Sequence, residues 1–340
     1  MAVKIGMMSF AHMHSYSYAA CINQMPEAEL VGIADHDPER GRKMAEDFAA
    51  RASTPDRRGK TKYFPNYRAL LEADIDAVVI GSENIRHREL TEMAAAAKKH
   101  ILCEKPIATT VADAQAMIDA AKKANVQLMT AFPCRFSPAM VRVKEEVDGG
   151  CVGDILAIKG TNRGRMPGGW FIELDKSGGG AVIDHTVHVT DLMRWVLRSD
   201  PTEVYAEISN LMHHEKYDDI GELTITFDNG VFTTLDTSWS RPKSFPTWGD
   251  VTMEIVGTKG VISMDMFAQN IVHYSDETMG VTWHNWGSNI DYLMVKDFVT
   301  SVAANVPVSI TGEDGLKALE VAVAAYKSRD TGQPVALPMA

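Results

Sequence analysis

Residues 77–106 read AVVIGSENIRHRELTEMAAAAKKHILCEKP. Ala77–Ile80 is wholly apolar and strand-like, Arg86–Lys99 is an alanine-rich helical stretch, and His100–Cys103 reads as a second strand. A strand, a helix and a strand of these lengths make a βαβ unit, with both strands parallel in one sheet. Near-continuous apolar strands belong to a sheet covered on both faces. The rhythm continues upstream. Val3–Met8 and Glu29–Ala34 read as strands, Ser15–Met25 as a helix, and Asp37-Pro38 as the N-cap and first residue of another. Tyr63-Phe64 is a short apolar pair before a helix from Asn66 to Glu72. Downstream come a helix over Ala112–Ala124 and a strand over Gln127–Ala131. Residues 1–130 are therefore expected to form an α/β domain with a doubly wound parallel sheet.

Beyond this the rhythm changes. Asp154–Thr161, Val204–Asn210, Glu222–Phe227, Val231–Ser240, Thr252–Val256 and Val261–Met264 are strand-like, with few helical intervals. Asp228-Asn229-Gly230 marks a hairpin. Helices are expected over Ala181–Leu197, Asn289–Ala304 and Gly315–Ser328. Residues 131–340 thus read as an α+β domain with a mainly antiparallel sheet and helices on one face. Arg51–Lys62, with Pro55, Gly59 and five basic residues, reads as an exposed loop.

Composition narrows the function classes. The 340 residues are 45% apolar and 23% charged, an ordinary globular balance. Asp plus Glu number 45 against 34 Lys plus Arg, a net charge of -11. That argues against binding nucleic acid or anionic lipid, which both demand positive charge. Cys21, Cys103, Cys134 and Cys151 are scattered, without the spacing of a disulfide framework or a thiolate zinc site. No apolar run approaches a membrane span, and the N-terminus lacks a signal-peptide core. The expectation is a reduced, soluble, cytoplasmic protein.

Three places carry candidate chemistry. The turn after the first strand is Ser9-Phe10-Ala11-His12-Met13-His14, where a dinucleotide fold has a glycine fingerprint. Here Ser9, Ala11 and His14 stand where the glycines would. Asp35 closes the second strand about 20 residues later, where an acid holds ribose hydroxyls and repels the 2′-phosphate of NADP. It is otherwise an ordinary turn residue. Arg40 lies near enough to pair with that phosphate, leaving dual cofactor use open. Glu104-Lys105-Pro106 follows a strand end directly. Its lysine either binds a substrate hydroxyl and favours a developing alkoxide or is a surface residue beside a turn. A proline in that position can carry a cis bond.

The third place is Ser177-Gly178-Gly179-Gly180-Ala181-Val182-Ile183-Asp184-His185-Thr186-Val187-His188. Three glycines before a helix allow close approach of a ligand to an electropositive terminus. Asp184 and His188 share one helix face, suited to fixing one hydroxyl and deprotonating another, or else to ordering the helix start. Asp191 and Trp195 continue that side, while His185 points about 100° away. Asp184, His185 and His188 do not have standard zinc spacing, and no metal is expected.

Asp35, Glu104-Lys105-Pro106 and the Gly-Gly-Gly…Asp184-x-x-x-His188…Asp191-Leu-x-x-Trp195 run, in this order, resemble the Gfo/Idh/MocA oxidoreductases. The resemblance takes in Asn84 and His87, Arg135-Phe136-x-Pro138 and Ala325-Tyr326-x-Ser328. It implies an N-terminal Rossmann domain and a C-terminal domain with a large open sheet. It also implies a homo-oligomer, dimer or tetramer, formed through that sheet. NAD is the implied cofactor, ahead of NADP, and a sugar, an inositol-like polyol or a related carbinol the implied substrate. Lys105 resembles the family's catalytic lysine, Asp184 its substrate-positioning aspartate and His188 its proton-transferring histidine. Cofactor contacts are expected from Ser9, Phe10, Ala11, His12, Asp35, Ser82, Glu83, Asn84, His87, Glu104 and Lys105. Arg163, Arg165 and Trp170 are expected to join Lys105, Asp184 and His188 at the substrate, unless their loop is a surface excursion. Trp239, Trp248, Trp283 and Trp286 add aromatic surface. The same parts also suit an epimerase, lyase or glycosidase that recycles NAD, or a non-catalytic sugar or dinucleotide sensor.

Overall fold

The apolar runs of the first third become strands close to their expected bounds. In the computed structural model, which describes residues 2–51, 59–285 and 287–339, these are β1 (Val3–Met8), β2 (Ala28–Ala34), β3 (Lys62–Phe64), β4 (Ala77–Ile80), β5 (His100–Cys103) and β6 (Leu128–Thr130). Residues 52–58 of the expected loop, and Trp286, lie outside the described residues. Two compact units divide the chain, residues 1–133 with 290–316 and residues 134–289 with 317–340. The segment expected as one continuous second domain therefore lends 290–316 to the first unit.

The first unit holds a parallel sheet in the order β3-β2-β1-β4-β5-β6. Every residue of β4 is buried, as a strand covered on both faces requires. The helices are α1 (His14–Gln24), α2 (Pro38–Ala50), α3 (Tyr67–Leu71), α4 (His87–Ala96) and α5 (Val111–Ala124). Asp37 caps α2 by accepting the Glu39 and Arg40 N–H groups at 3.0 and 3.1 Å. The stretch expected as one helix from Arg86 opens instead with a 3-10 turn, Asn84–Arg86, before α4. Strand order reverses between β1 and β4. Ligands of open parallel sheets bind at such a switch point, beyond the carboxyl ends of the strands. The segments leaving β1, β4 and β5 there are residues 9–14, 81–84 and 104–106.

The second unit holds a seven-stranded sheet, β12-β11-β7-β10-β9-β8-β15, built from β7 (Ile155–Thr161), β8 (Pro201–Ser209), β9 (Ile220–Phe227), β10 (Phe232–Asp236), β11 (Thr252–Gly257), β12 (Val261–Asp265) and β15 (Val335–Ala336). Among the described residues of this sheet, only β7 and β10 pair in parallel. Buried and outward residues alternate along β9, which leaves one face of the sheet open. The Asp228-Asn229-Gly230 turn joins β9 to β10, with Gly230 left-handed at φ 82°. A helix not expected from the sequence, α6 (Pro138–Asp148), starts with proline at its first position. A single turn, α7 (Leu174–Ser177), precedes α8 (Ala181–Leu197). A separate hairpin, β13 (Asn270–Ser275) with β14 (Gly280–Asn285), was also not expected. Helix α9 (Ile290–Ala304) belongs to the first unit, and α10 (Gly312–Thr331) runs from the first unit into the second. Among the described residues no helix is long and apolar enough to cross a membrane.

Candidate active site

At the first turn, Ser9 is left-handed with φ 77°, the conformation a fingerprint glycine would supply. Its hydroxyl accepts the Ala11 N–H at 3.2 Å. The His12 N–H donates to the Gly81 carbonyl at 2.9 Å, tying the turn to the end of β4. A Cβ on Gly81 would sit 1.8 Å from Ser15 Oγ and 3.3 Å from the Ser9 carbonyl, so a larger residue would have to displace the Ser15 side chain. These features, with an acid closing β2, fit the turn to a dinucleotide. The side chains fit it less directly than expected. The Phe10 ring is buried against Tyr16 and Phe48, centroids 5.4 and 5.7 Å away, and only its N–H reaches Asp35, at 2.7 Å. His12 is buried as well.

Asp35 is enclosed. Its Oδ2 accepts the Phe10 N–H and the Arg40 Nε–H at 2.9 Å. Its Oδ1 accepts the Asp37 N–H at 2.9 Å and an Arg40 Nη2–H at 2.7 Å.

Glu104, fully buried at the end of β5, organises the next segment. It accepts the Tyr18 hydroxyl at 2.5 Å, the His14 Nδ1–H at 2.9 Å and the Lys105 N–H at 2.8 Å. Burial alone would raise its pKa, but the charges of His12 and His14, the His14 bond and the Lys105 charge hold it well below the usual carboxylate range. Burial would lower His14, yet the Glu104 charge and bond raise it. The Lys105–Pro106 bond is cis. His87 differs from expectation. It is fully buried and donates from Nδ1 to the Pro106 carbonyl at 2.9 Å, so it braces the lysine loop. Burial lowers its pKa, which keeps the ring neutral. Ser82 and Asn84 are also buried, whereas Glu83 pairs with His36 at 3.1 Å. Burial pushes Glu83 up, but the His36 bond and other partners bring it to about 2.

Ligand atoms of His12, His14 and Glu104 lie within 4.8 Å of one another. His12 Nδ1 accepts the His14 N–H at 3.2 Å, and Glu104 is held by His14 and Tyr18. The trio is a hydrogen-bonded set in which Glu104 is already held by His14, Tyr18 and the Lys105 N–H.

In the second unit, Asp184 and His188 share the buried side of α8. Asp184 Oδ2 accepts the indole N–H of Trp239 at 3.2 Å and lies 3.3 Å from His185 Nε2. His188 Nδ1 lies 4.0 Å from Cys134 Sγ. Arg135 forks onto buried Asp191 at 2.7 and 2.5 Å. Gly179 and Gly180 have a different role from the one expected. A Cβ on Gly179 would fall 2.2 Å from the Tyr326 hydroxyl, and one on Gly180 would fall 2.1 Å from the Asp218 carbonyl. The Asp218 carboxylate accepts the Gly180 and Val182 N–H groups at 2.9 and 2.8 Å. The protein itself occupies that helix terminus. Arg163 is drawn to Asp250, at 3.0 Å from Nε and 2.9 Å from Nη2, while exposed Arg165 reaches the Lys243 carbonyl at 3.4 Å. Trp170 stacks on Phe171 with centroids 4.0 Å apart. Trp239, expected as aromatic surface, is 1% exposed and belongs to the core with Tyr217 and Ala181. Sequence reasoning did not find Tyr18, Cys134 or Asp218 as partners of these groups. Each lies far along the chain from the residue it touches, and no motif marks it.

Residues 3–132 match the family model described as an oxidoreductase family with an NAD-binding Rossmann fold, and residues 140–263 match the Gfo/Idh/MocA C-terminal domain. A 1,5-anhydro-D-fructose reductase from Ensifer adhaerens is 30% identical over 276 residues, 77% of this chain and 80% of that protein. The chain belongs to the Gfo/Idh/MocA family. It is an NAD-binding oxidoreductase of that family. A myo-inositol 2-dehydrogenase from Thermotoga maritima is 29% identical over 336 residues, covering 94% of both chains. The solved structure of a probable dehydrogenase from Thermotoga maritima superposes with a TM-score of 0.84 at 28% identity, over 98% of this chain and 99% of that one.

As a Gfo/Idh/MocA oxidoreductase the chain departs from a glycine fingerprint at Ser9, Ala11 and His14. Ser9 nevertheless keeps the left-handed backbone, and His14 gains a bond to Glu104 in the lysine segment. The turn is thereby preserved and linked to the segment that follows β5.

Proposed function

We propose that the protein is a dehydrogenase that moves a hydride between the nicotinamide of NAD and a carbinol carbon of a sugar or polyol. The observation that carries this reading is Lys105, presented at the end of β5 with its N–H held by buried Glu104 and its loop braced by His87. A lysine so placed on the ligand-binding edge of a parallel sheet suits charge stabilisation at a substrate oxygen. Bound NAD supplies the hydride acceptor. The turn from Ser9 to His12 and the ends of β2 and β4 would hold it. His188 takes the hydroxyl proton, the Lys105 ammonium favours the developing oxygen charge, and Asp184 holds a neighbouring hydroxyl. The Trp239 indole orients Asp184. Reductases and dehydrogenases of anhydrosugar and inositol among the relatives support this substrate class. Arg165 and Trp170 remain the loop residues offered to substrate, since Arg163 is engaged by Asp250.

The test is a panel of sugars, polyols and inositols with NAD, followed by NADH absorbance. Turnover on one class that collapses in both Lys105→Ala and His188→Asn supports the reading. Undiminished turnover in both variants refutes it.

A further inference from the structure

Asp35 is where a dinucleotide fold senses the 2′ position of the adenosine ribose. A carboxylate offers about four lone-pair sites. Here four donors at 2.7 to 2.9 Å take them, two from backbone and two from the Arg40 fork. The Asp35 side chain has no exposed surface, whereas Arg40 is 27% exposed. A ligand arriving at the end of β2 therefore meets a guanidinium whose charge already balances the acid beneath it. His36 adds an imidazole, with Nε2 3.4 Å from Arg40 Nη2. Facing them are Glu83, paired with His36, and Asp37, whose carboxylate caps α2. Arg86 sits over the Tyr67 ring behind His36. Arg40 has five N–H donors, only two of them engaged by Asp35, and a guanidinium matches phosphate oxygens bidentately.

We propose that Arg40, not Asp35, is the group that meets a 2′ substituent, so that the protein accepts NADP(H) as well as NAD(H). This rests on the dinucleotide reading of the site and extends it to cofactor selection. An acid at the end of β2 normally excludes the 2′-phosphate by repulsion. In this chain that repulsion is cancelled by a cation five residues on, and Arg40 is the specificity-determining residue.

The test is binding, read by the fluorescence of NADH and NADPH titrated separately into the whole protein, with no substrate present. Wild type is expected to bind NADPH within about 10-fold of NADH. In Arg40→Met the acid is uncovered and the phosphate loses its partner, so NADPH weakens by ~10- to 100-fold while NADH changes only a few-fold. Arg40→Lys, which keeps the charge without the fork, falls between. Thermal melting confirms that each variant is folded. A wild type that binds NADH but prefers it to NADPH by more than about 100-fold overturns this inference alone. So does an Arg40→Met protein that weakens both nucleotides equally. Binding of neither nucleotide overturns the proposed function as well.

Discussion

The Tyr326 hydroxyl donates to Asp218 Oδ1 at 2.9 Å while lying 3.2 and 3.3 Å from the N–H groups of Gly180 and Ile183. One phenol and one carboxylate thus satisfy the first turn of α8, the helix that carries Asp184 and His188. The glycines before that helix make room for this pair. Tyr326→Phe is expected to cost about 1 kcal/mol, the worth of a part-buried hydrogen-bond partner. Gly180→Ala should cost about 1–3 kcal/mol, because the clash is with backbone that cannot rotate away. Both appear as lower melting temperatures. If melting were unchanged and only KM rose, the glycines would serve a ligand after all.

Trp239 reaches Asp184 through its indole N–H alone, from within the core. Trp239→Phe keeps most of the apolar volume and removes the donor. The expected result is a KM raised by roughly 5- to 10-fold, corresponding to about 1 kcal/mol of lost orientation. An unchanged KM would show that Asp184 needs no such partner.

The parallel half of the fold was legible because its signals are local. Val3–Met8, Ala77–Ile80 and His100–Cys103 have their expected bounds, and Asp37 is the cap that its position before Pro38 predicts. The candidate pair on α8 was legible as a shared helix side through its short spacing, i to i+4 for Asp184 and His188. What could not be read was the occupancy of space. Asp218 fills the start of α8 from 38 residues away, and Tyr18 reaches Glu104 from 86 residues away. Asp35 looked like an open acid because Arg40 lies on the next helix, and only the fold aims it back. The return of 290–316 to the first unit has the same origin. An amphipathic helix announces its apolar face but not the surface it will cover.

Glu104 and His14 make stability depend on pH in opposite directions. The pKa of Glu104 is depressed below its ordinary 4.5, so its contribution is present above that value and is lost as pH falls through the depressed one. The pKa of His14 is raised above 6.5, so its contribution is complete below 6.5 and is lost as pH rises through the raised value. Both contributions are full between about pH 4.5 and 6.5, with Asp291, His12 and Lys105 as the neighbouring charges. Melting temperature should therefore decline on the alkaline side of that window. His14→Gln should flatten that decline. Equally steep alkaline limbs in the two proteins would remove His14 from the account.

Lys105 and His188 are assigned different tasks, and their variants should fail differently. A proton-transfer group contributes typically 10²- to 10⁴-fold to turnover. His188→Asn should therefore lower kcat by ~10²-fold or more and abolish the acidic limb of its pH profile, because no group remains to lose a proton at that place. Lys105→Ala should lower kcat by a comparable ~10²-fold through lost charge at the substrate oxygen, while the His188 limb persists. NADH binding measured by fluorescence should survive in His188→Asn, since this residue belongs to the unit without the Rossmann sheet. A His188→Asn protein that turns over normally and keeps the acidic limb would show that another group takes the proton.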